Sequence, residues 1–173
     1  MQDNKPTKVT NEEAEEMYKH GMKLYKGDSV NMDKKEAARY FKLSSEKGNS
    51  ESMHMYGMML KNGEGVIINK KESVKYLNMA IEKGNTESMI ELGLMYEQGE
   101  YVKKDLDKTF ELFKKSADNG NSRGMLYLSD MLLEGFGVKK NTEEGLRYLR
   151  MSADLGNNNA IFNLGCIYEI GID

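Results

Sequence analysis

The sequence predicts an all-α protein, a right-handed α-solenoid built from helix–turn–helix repeats of 36 residues each. Three observations lead there. The pair Gly-Asn recurs at Gly48-Asn49, Gly84-Asn85, Gly120-Asn121 and Gly156-Asn157, each time 36 residues after the last. A fixed period of about 20–50 residues is the mark of a stacked repeat protein. Inside each period, apolar residues return at spacings of three and four, which is the period of one helical face. No strand signal appears anywhere in the chain. The repeats run 14–49, 50–85, 86–121 and 122–157, with a half unit over 158–173, and residues 1–13, which hold the only proline, Pro6, are expected to form a flexible tail.

The first helix of a repeat is read from positions numbered 1 to 36 within it. Position 1 is Ala14, Ser50, Thr86, Ser122 and Asn158; four of these can cap a helix by accepting a backbone N–H. Positions 4, 7, 8 and 11 share one stripe: Met53, Tyr56, Gly57 and Leu60 in the second repeat, Met89, Leu92, Gly93 and Tyr96 in the third. Glycine in mid-helix costs about 1 kcal/mol against alanine. Its return at Gly21, Gly57, Gly93 and Gly165, with Ser129 in the remaining repeat, implies that a second helix comes close there. Gly27, Gly63, Gly99, Gly135 and Gly171 then end the helix as left-handed caps.

The loop and the second helix follow. Val30, Val66, Val102 and Val138 supply one apolar plug to each loop. Asp33, Asn69, Asp105 and Asn141 start the second helix, and Glu36, Glu72 and Glu144 three residues on complete a capping-box pattern that Lys108 breaks. Tyr40-Phe41, Tyr76-Leu77, Leu112-Phe113 and Tyr148-Leu149 supply its apolar face. Small residues Ser44, Ala80, Ser116 and Ser152 come next, and the glycine of the Gly-Asn pair stops the helix. A single helix pair cannot cover its own apolar faces, so stability must come from stacking of neighbours in one continuous array.

Composition narrows the class. Charged residues make up 31% and the net charge is −3, which gives no electrostatic case for nucleic acid or an anionic membrane. No apolar run approaches the roughly 20 residues that span a bilayer. The polar start, Met1 to Thr10, lacks the apolar core of a secretory signal. Cys166 is the only cysteine, so an intrachain disulfide or a thiolate metal cluster cannot form, and a cytoplasmic setting is expected.

The large residue, Leu, Gly, Tyr stripe is similar to the tetratricopeptide pattern. The longer loop, Gly63-Glu64-Gly65-Val66 to Asn69 and Gly135-Phe136-Gly137-Val138 to Asn141, together with the closing Gly-Asn, resembles the Sel-one-like repeat (SLR) family. The resemblance covers residues 14–173 in four complete copies and a half. Departures are Met17, Met53, Met89 and Met125 where the family has alanine, and Ser29 and Tyr101 at the second loop glycine, which bear on packing and loop shape. The resemblance implies a non-catalytic adaptor that holds other proteins.

Reactive groups are few. His20 and His54 stand at different repeat positions with no recurring ligand set, so neither is assigned to metal or catalysis. Cys166 has no histidine nearby in sequence to act as its base. The G-x-G loops follow a helix instead of a strand, so they are structural turns and not phosphate cradles. Fourteen methionines are read chiefly as fillers of irregular core gaps. No catalytic residue, cofactor or metal site is expected.

A partner surface is expected where residues vary between repeats. Position 5 reads Tyr18, His54, Ile90, Leu126 and Phe162; position 9 reads Met22, Met58, Leu94, Asp130 and Cys166; position 12 reads Tyr25, Lys61, Glu97, Leu133 and Glu169. These fall on one stripe beside the core stripe, and in tetratricopeptide relatives the matching positions face the concave groove. A rim of Glu15, Glu51 and Glu87 borders it in repeats one to three. The expected ligand is an extended peptide or helix of a partner protein, with no nucleic acid and no membrane. The half repeat carries Ile161, Phe162, Leu164, Ile167, Tyr168 and Ile170 without a second helix. That pattern predicts either a longer protein or end-to-end self-association through residues 158–173. Competing readings are a regulatory or targeting segment of a larger enzyme such as a protein kinase, and a hydrolase of the kind assigned to secreted cysteine-rich SLR proteins, against which the lone Cys166 argues.

Overall fold

The computed structural model describes residues 9–169. Helices follow one another in chain order: α1 Val9–Lys26, α2 Lys34–Glu46, α3 Ser50–Asn62, α4 Lys70–Glu82, α5 Thr86–Gln98, α6 Leu106–Asp118, α7 Ser122–Glu134, α8 Thr142–Asp154 and α9 Asn158–Glu169. No strand occurs among the described residues, and the tandem hairpins make an all-α solenoid. Residues 9–13, expected to belong to a flexible tail, are helical: α1 begins at Val9, with Glu12 in its first turn, where the helix dipole favours an acid. The expectation for residues 1–8, and that for Ile170 and Gly171, lie outside the described residues.

One continuous array was expected, yet residue contacts gather into two compact units divided between Ser88 and Met89. The first unit buries Ala37, Phe41, Met53, Tyr56, Met59 and Leu60 in one cluster, with Tyr56 edge-on to Tyr76 at a centroid distance of 4.7 Å. The second buries Ile90, Phe113, Met125, Leu128, Met131 and Tyr148 in one cluster and Leu126, Leu146, Leu149 and Ala160 in another. Met59, Met95 and Met131, at position 10, form a second buried methionine row that the sequence stripe did not include.

The caps differ from expectation at one end of the hairpin. Ser50, Thr86, Ser122 and Asn158 are first helical residues and not caps. The asparagine of the Gly-Asn pair caps instead. Asn49 Oδ1 accepts from the Ser52 N–H at 2.7 Å, Asn85 from Ser88 at 2.8 Å, and Asn157 from Ala160 at 3.2 Å. The extended backbone of Asn49 (φ −72°, ψ 120°) aims its amide oxygen at the helix start, which the helical φ/ψ of the next residue could not do. At the second helices the expected caps hold: Asp33, Asn69, Asp105 and Asn141 accept from Glu36, Glu72, Lys108 and Glu144 N–H. The box does not close back on the cap's own N–H, because that N–H already donates to the first helix: Asn69 to Leu60 O at 3.0 Å and Asn141 to Leu132 O at 2.9 Å. Glu72 and Glu144 accept from the cap's side-chain amide instead, each at 3.0 Å. Lys108 therefore breaks nothing essential, since Asp105 still accepts from its backbone N–H.

The glycines at position 8 are explained by their neighbours. A Cβ on Gly21 would lie 2.9 Å from Phe41, one on Gly57 3.2 Å from Leu77, and one on Gly93 2.6 Å from Phe113. Each neighbour is the fully buried apolar residue of the facing second helix. The close approach also lets a buried hydroxyl cross it: Ser73 Oγ donates to Gly57 O at 2.8 Å and Thr109 Oγ1 to Gly93 O at 3.2 Å. The fourth complete repeat inverts this pairing, with Ser129 on the first helix and Gly145 on the second. Ser129 Oγ is buried and has no hydrogen-bond partner.

Neighbouring repeats are joined through small residues and polar ties. Ser44 Oγ donates to Ala14 O at 2.6 Å within its repeat and receives Ser52 Oγ from the next at 2.7 Å. A Cβ on Gly65 would strike the Lys34 backbone, and one on Gly137 would meet Leu106 Cβ at 2.6 Å. This second loop position has positive φ throughout, including Ser29 (62°) and Tyr101 (67°). The loop shape is therefore kept where glycine is absent, at the strain that a left-handed backbone imposes on a residue with a Cβ. Glu64 Oε2 receives both Tyr25 Oη at 2.8 Å and Lys34 Nζ at 2.6 Å, and the Lys34 ammonium sits 5.2 Å from the Tyr25 ring centroid.

Three outcomes follow from this packing. Gly93→Ala should lose about 1–2 kcal/mol, because overpacking against a fully buried ring costs about 1–3 kcal/mol and outweighs the helix propensity gained. Gly165→Ala, where nothing lies within 4 Å, should gain about 0.5–1 kcal/mol, so urea midpoints of the two variants must move in opposite directions. Ser129→Ala should raise stability by about 1 kcal/mol, since it removes a buried hydroxyl that bonds to nothing. Hydrogen bonds from Lys34 first, then Tyr25, hold the Glu64 carboxyl below its ordinary 4.5. Its stabilisation is present above pH 4.5 and is lost as pH falls through the lowered value. Glu64→Gln should melt earlier than the native chain at neutral pH, and the difference should shrink on acidification below 4.5.

Candidate functional site

The stripe expected to meet a partner separates into accessible and inaccessible residues. Tyr18, Met22, Tyr25, His54, Met58 and Lys61 in the first unit are all half-buried. Tyr18 leans on Phe41 with ring centroids 6.0 Å apart. Burial, helped by the Glu51 and Glu15 charges, pushes its hydroxyl above the ordinary tyrosine value. The Tyr25 hydroxyl is committed to Glu64. His54 Nδ1 meets Ser88 Oγ at 2.9 Å, so this ring joins successive first helices. His20 is exposed and lies against Tyr40 at a centroid distance of 4.4 Å.

In the second unit the stripe needs correction. Ile90 is 0% exposed and Leu126 7%. Both side chains belong to the core, the first beside Phe113 and Leu128 and the second beside Leu149 and Ala160. Position 5 turns inward in these two repeats, so these two residues offer no surface to a partner. Leu94, Glu97 and Leu133 are half-buried, Asp130 is exposed, and Phe162 is 71% exposed. Ile161 (50%) and Tyr168 (51%) are also open on α9, while Leu164 and Ile167 pack against the core.

One cavity gathers two of the expected residues with five that the stripe did not contain. It has a volume of about 410 Å³ and is lined by Glu97 of α5, Phe113 of α6, Tyr127, Asp130, Met131 and Glu134 of α7, and Phe136 of the following loop. Phe113 and Tyr127 stack with centroids 5.0 Å apart and planes 22° from parallel. Phe136 stands 40% exposed, with Lys104 Nζ 5.5 Å from its centroid. Glu134 follows Asp130 by four residues, which places both acids on one helix face. Although Asp130 is exposed as a whole residue, desolvation by the protein atoms crowded around its carboxyl, then the charges of Glu134 and Glu97, raise that carboxyl to about 6 from its ordinary 3.8. The sequence had no signal that would unite Glu97 with Glu134, because they come together only when α5 and α7 pack. No group of three His, Cys, Asp or Glu among the described residues is arranged to hold a metal ion. No helix among them is long and apolar enough to cross a membrane.

Known proteins share this architecture. The chain is similar to c5321, a protective antigen of uropathogenic Escherichia coli strains displaying an SLR fold, with 30% identity and a TM-score of 0.82 over 92% of this chain and 34% of that one. It is similar to a Sel1 repeat protein from Oxalobacter formigenes, with 27% identity and a TM-score of 0.85 over 92% of this chain and 63% of the other. Helicobacter pylori cysteine rich protein B matches with 30% identity and a TM-score of 0.63, over 80% of this chain and 99% of that one. The chain thus spans about a third of the length of the first and less than two thirds of the second. Among curated proteins no sequence relative matches it significantly. The Sel1 repeat profile matches residues 16–49, 50–85, 86–121, 122–157 and 158–173 in unbroken succession. With the helix–loop–helix hairpin repeating through these matches, the chain belongs to the Sel1 repeat family.

Proposed function

We propose that this chain is a non-catalytic scaffold that holds partner proteins or peptides on the exposed edges of its first helices. The observation that carries the reading is a contrast along α1, α3, α5 and α7. Positions 8 and 28 stay small and large because they touch each other, whereas positions 9 and 12 vary from Met22 and Tyr25 to Asp130 and Leu133 and keep part of each side chain open. A rigid frame with changing half-open side chains suits recognition of a shaped surface. The lone Cys166 leaves the chain without an intrachain disulfide, which suits a reducing compartment such as the cytoplasm.

Ile90 and Leu126 are unsuitable for testing this, since truncating them would open the core. Met22→Lys with Met58→Lys is the cleaner pair, because each lysine stem can follow the methionine's path and leave only its charge at the surface. Proteins captured from the native host by the unaltered chain should be lost by this double variant while its helical circular dichroism is unchanged. Equal capture by both would reject the first-helix surface.

A further inference from the structure

We propose that the cavity between Glu97, Phe113, Tyr127, Asp130, Glu134 and Phe136 receives a cationic side chain, lysine or arginine, from a basic segment of a partner protein. This rests on the scaffold reading and names the chemistry of the partner. Charge is the first argument. Three carboxylates converge on one cavity, and none of them makes an ion pair or hydrogen bond among the described residues. At neutral pH they repel one another, and an apolar plug would take them out of water with nothing to compensate. A cation relieves both costs at once.

Shape and surface give the second argument. The remaining walls are aromatic apart from Met131, and an ammonium or guanidinium is attracted to ring faces. Phe136 already shows this, with the Lys104 ammonium over its ring. A long aliphatic stem can lie along the accessible Tyr127 and Phe136 rings while its charged head reaches the acids. A bare metal ion is the wrong occupant, because the acids are not placed to share one. The raised Asp130 carboxyl agrees with a site that is short of positive charge: bound cation would favour its ionised form.

The test titrates the full isotope-labelled chain with a short amidated peptide of lysine and leucine, with its Nε-acetylated form, and with free butylammonium, following backbone amide shifts. The lysine peptide should move amides around Glu97, Tyr127 and Glu134. Acetylation, which keeps the stem and removes the charge, should weaken binding roughly tenfold or more, the scale expected for losing a desolvated charge pair. Asp130→Asn with Glu134→Gln should weaken the lysine peptide to the same extent without lowering the melting transition. Affinity should fall between pH 7 and pH 5 as Asp130 takes up its proton. Equal binding of the acetylated peptide, or shifts confined to other helices, would overturn this assignment and leave the scaffold reading standing. Butylammonium binding as tightly as the peptide would also overturn it, in favour of a small-amine site. Failure of every peptide to move any amide would overturn this assignment too, while the scaffold reading stands or falls on the capture experiment with Met22→Lys and Met58→Lys.

Discussion

Everything in this fold depends on one approach distance. In the first and third repeats the second helix comes so close to the first that position 8 has no room for a Cβ: Phe113 would be 2.6 Å from one on Gly93, and Phe41 2.9 Å from one on Gly21. The glycine's cost in helix propensity is about 1 kcal/mol. It is offset by full burial of a large ring or a leucine, whose removal in a core costs about 2–5 kcal/mol. Widening the gap would give up more in lost burial than a better helix former could restore, so the small residue is retained. In the fourth complete repeat Ser129 takes this place, Gly145 stands where the other second helices carry Ala37, Ser73 or Thr109, and the buried Ser129 hydroxyl finds no partner.

The same constraint passes from repeat to repeat. A hairpin held that tightly presents small residues at its edges, and the next hairpin uses them. Ser52 reaches Ser44, and Gly65 sits on the Lys34 backbone. Backbone carbonyls that would be orphaned by irregular loops are instead taken up by the caps of second helices, as in Asn69 N–H to Leu60 O. With these carbonyls taken up inside the hairpin, the frame leaves the outer edges of the first helices free to vary.

Function is read from that freedom. In the first unit the half-open edge is largely aromatic and sulfur-bearing, through Tyr18, Met22 and Met58. In the second unit the accessible feature is a cavity with stacked rings and converging acids. The two surfaces differ in chemistry although their repeats share one backbone plan. On the proposed scaffold reading, such surfaces can diversify without disturbing the core.

Local order was legible from residues a few places apart. The period, the helix ends at Gly63 and Gly135, the second-helix caps at Asp33 and Asn141, and the close approach at Gly57 all depend on backbone geometry and on contacts within one hairpin. Serine at position 1 misled because serine and asparagine are both good caps; the glycine before Asn49 turns the chain so that the asparagine arrives first. Accessibility was not legible. Ile90 and Tyr18 occupy the same repeat position, yet the first is sealed and the second is half open. Nor was the meeting of Glu97 with Asp130 and Glu134, which lie more than thirty residues apart in the chain and one helix layer apart in space. Burial and electric field are set by what packs over a residue, and that is settled only when separate helices are brought together.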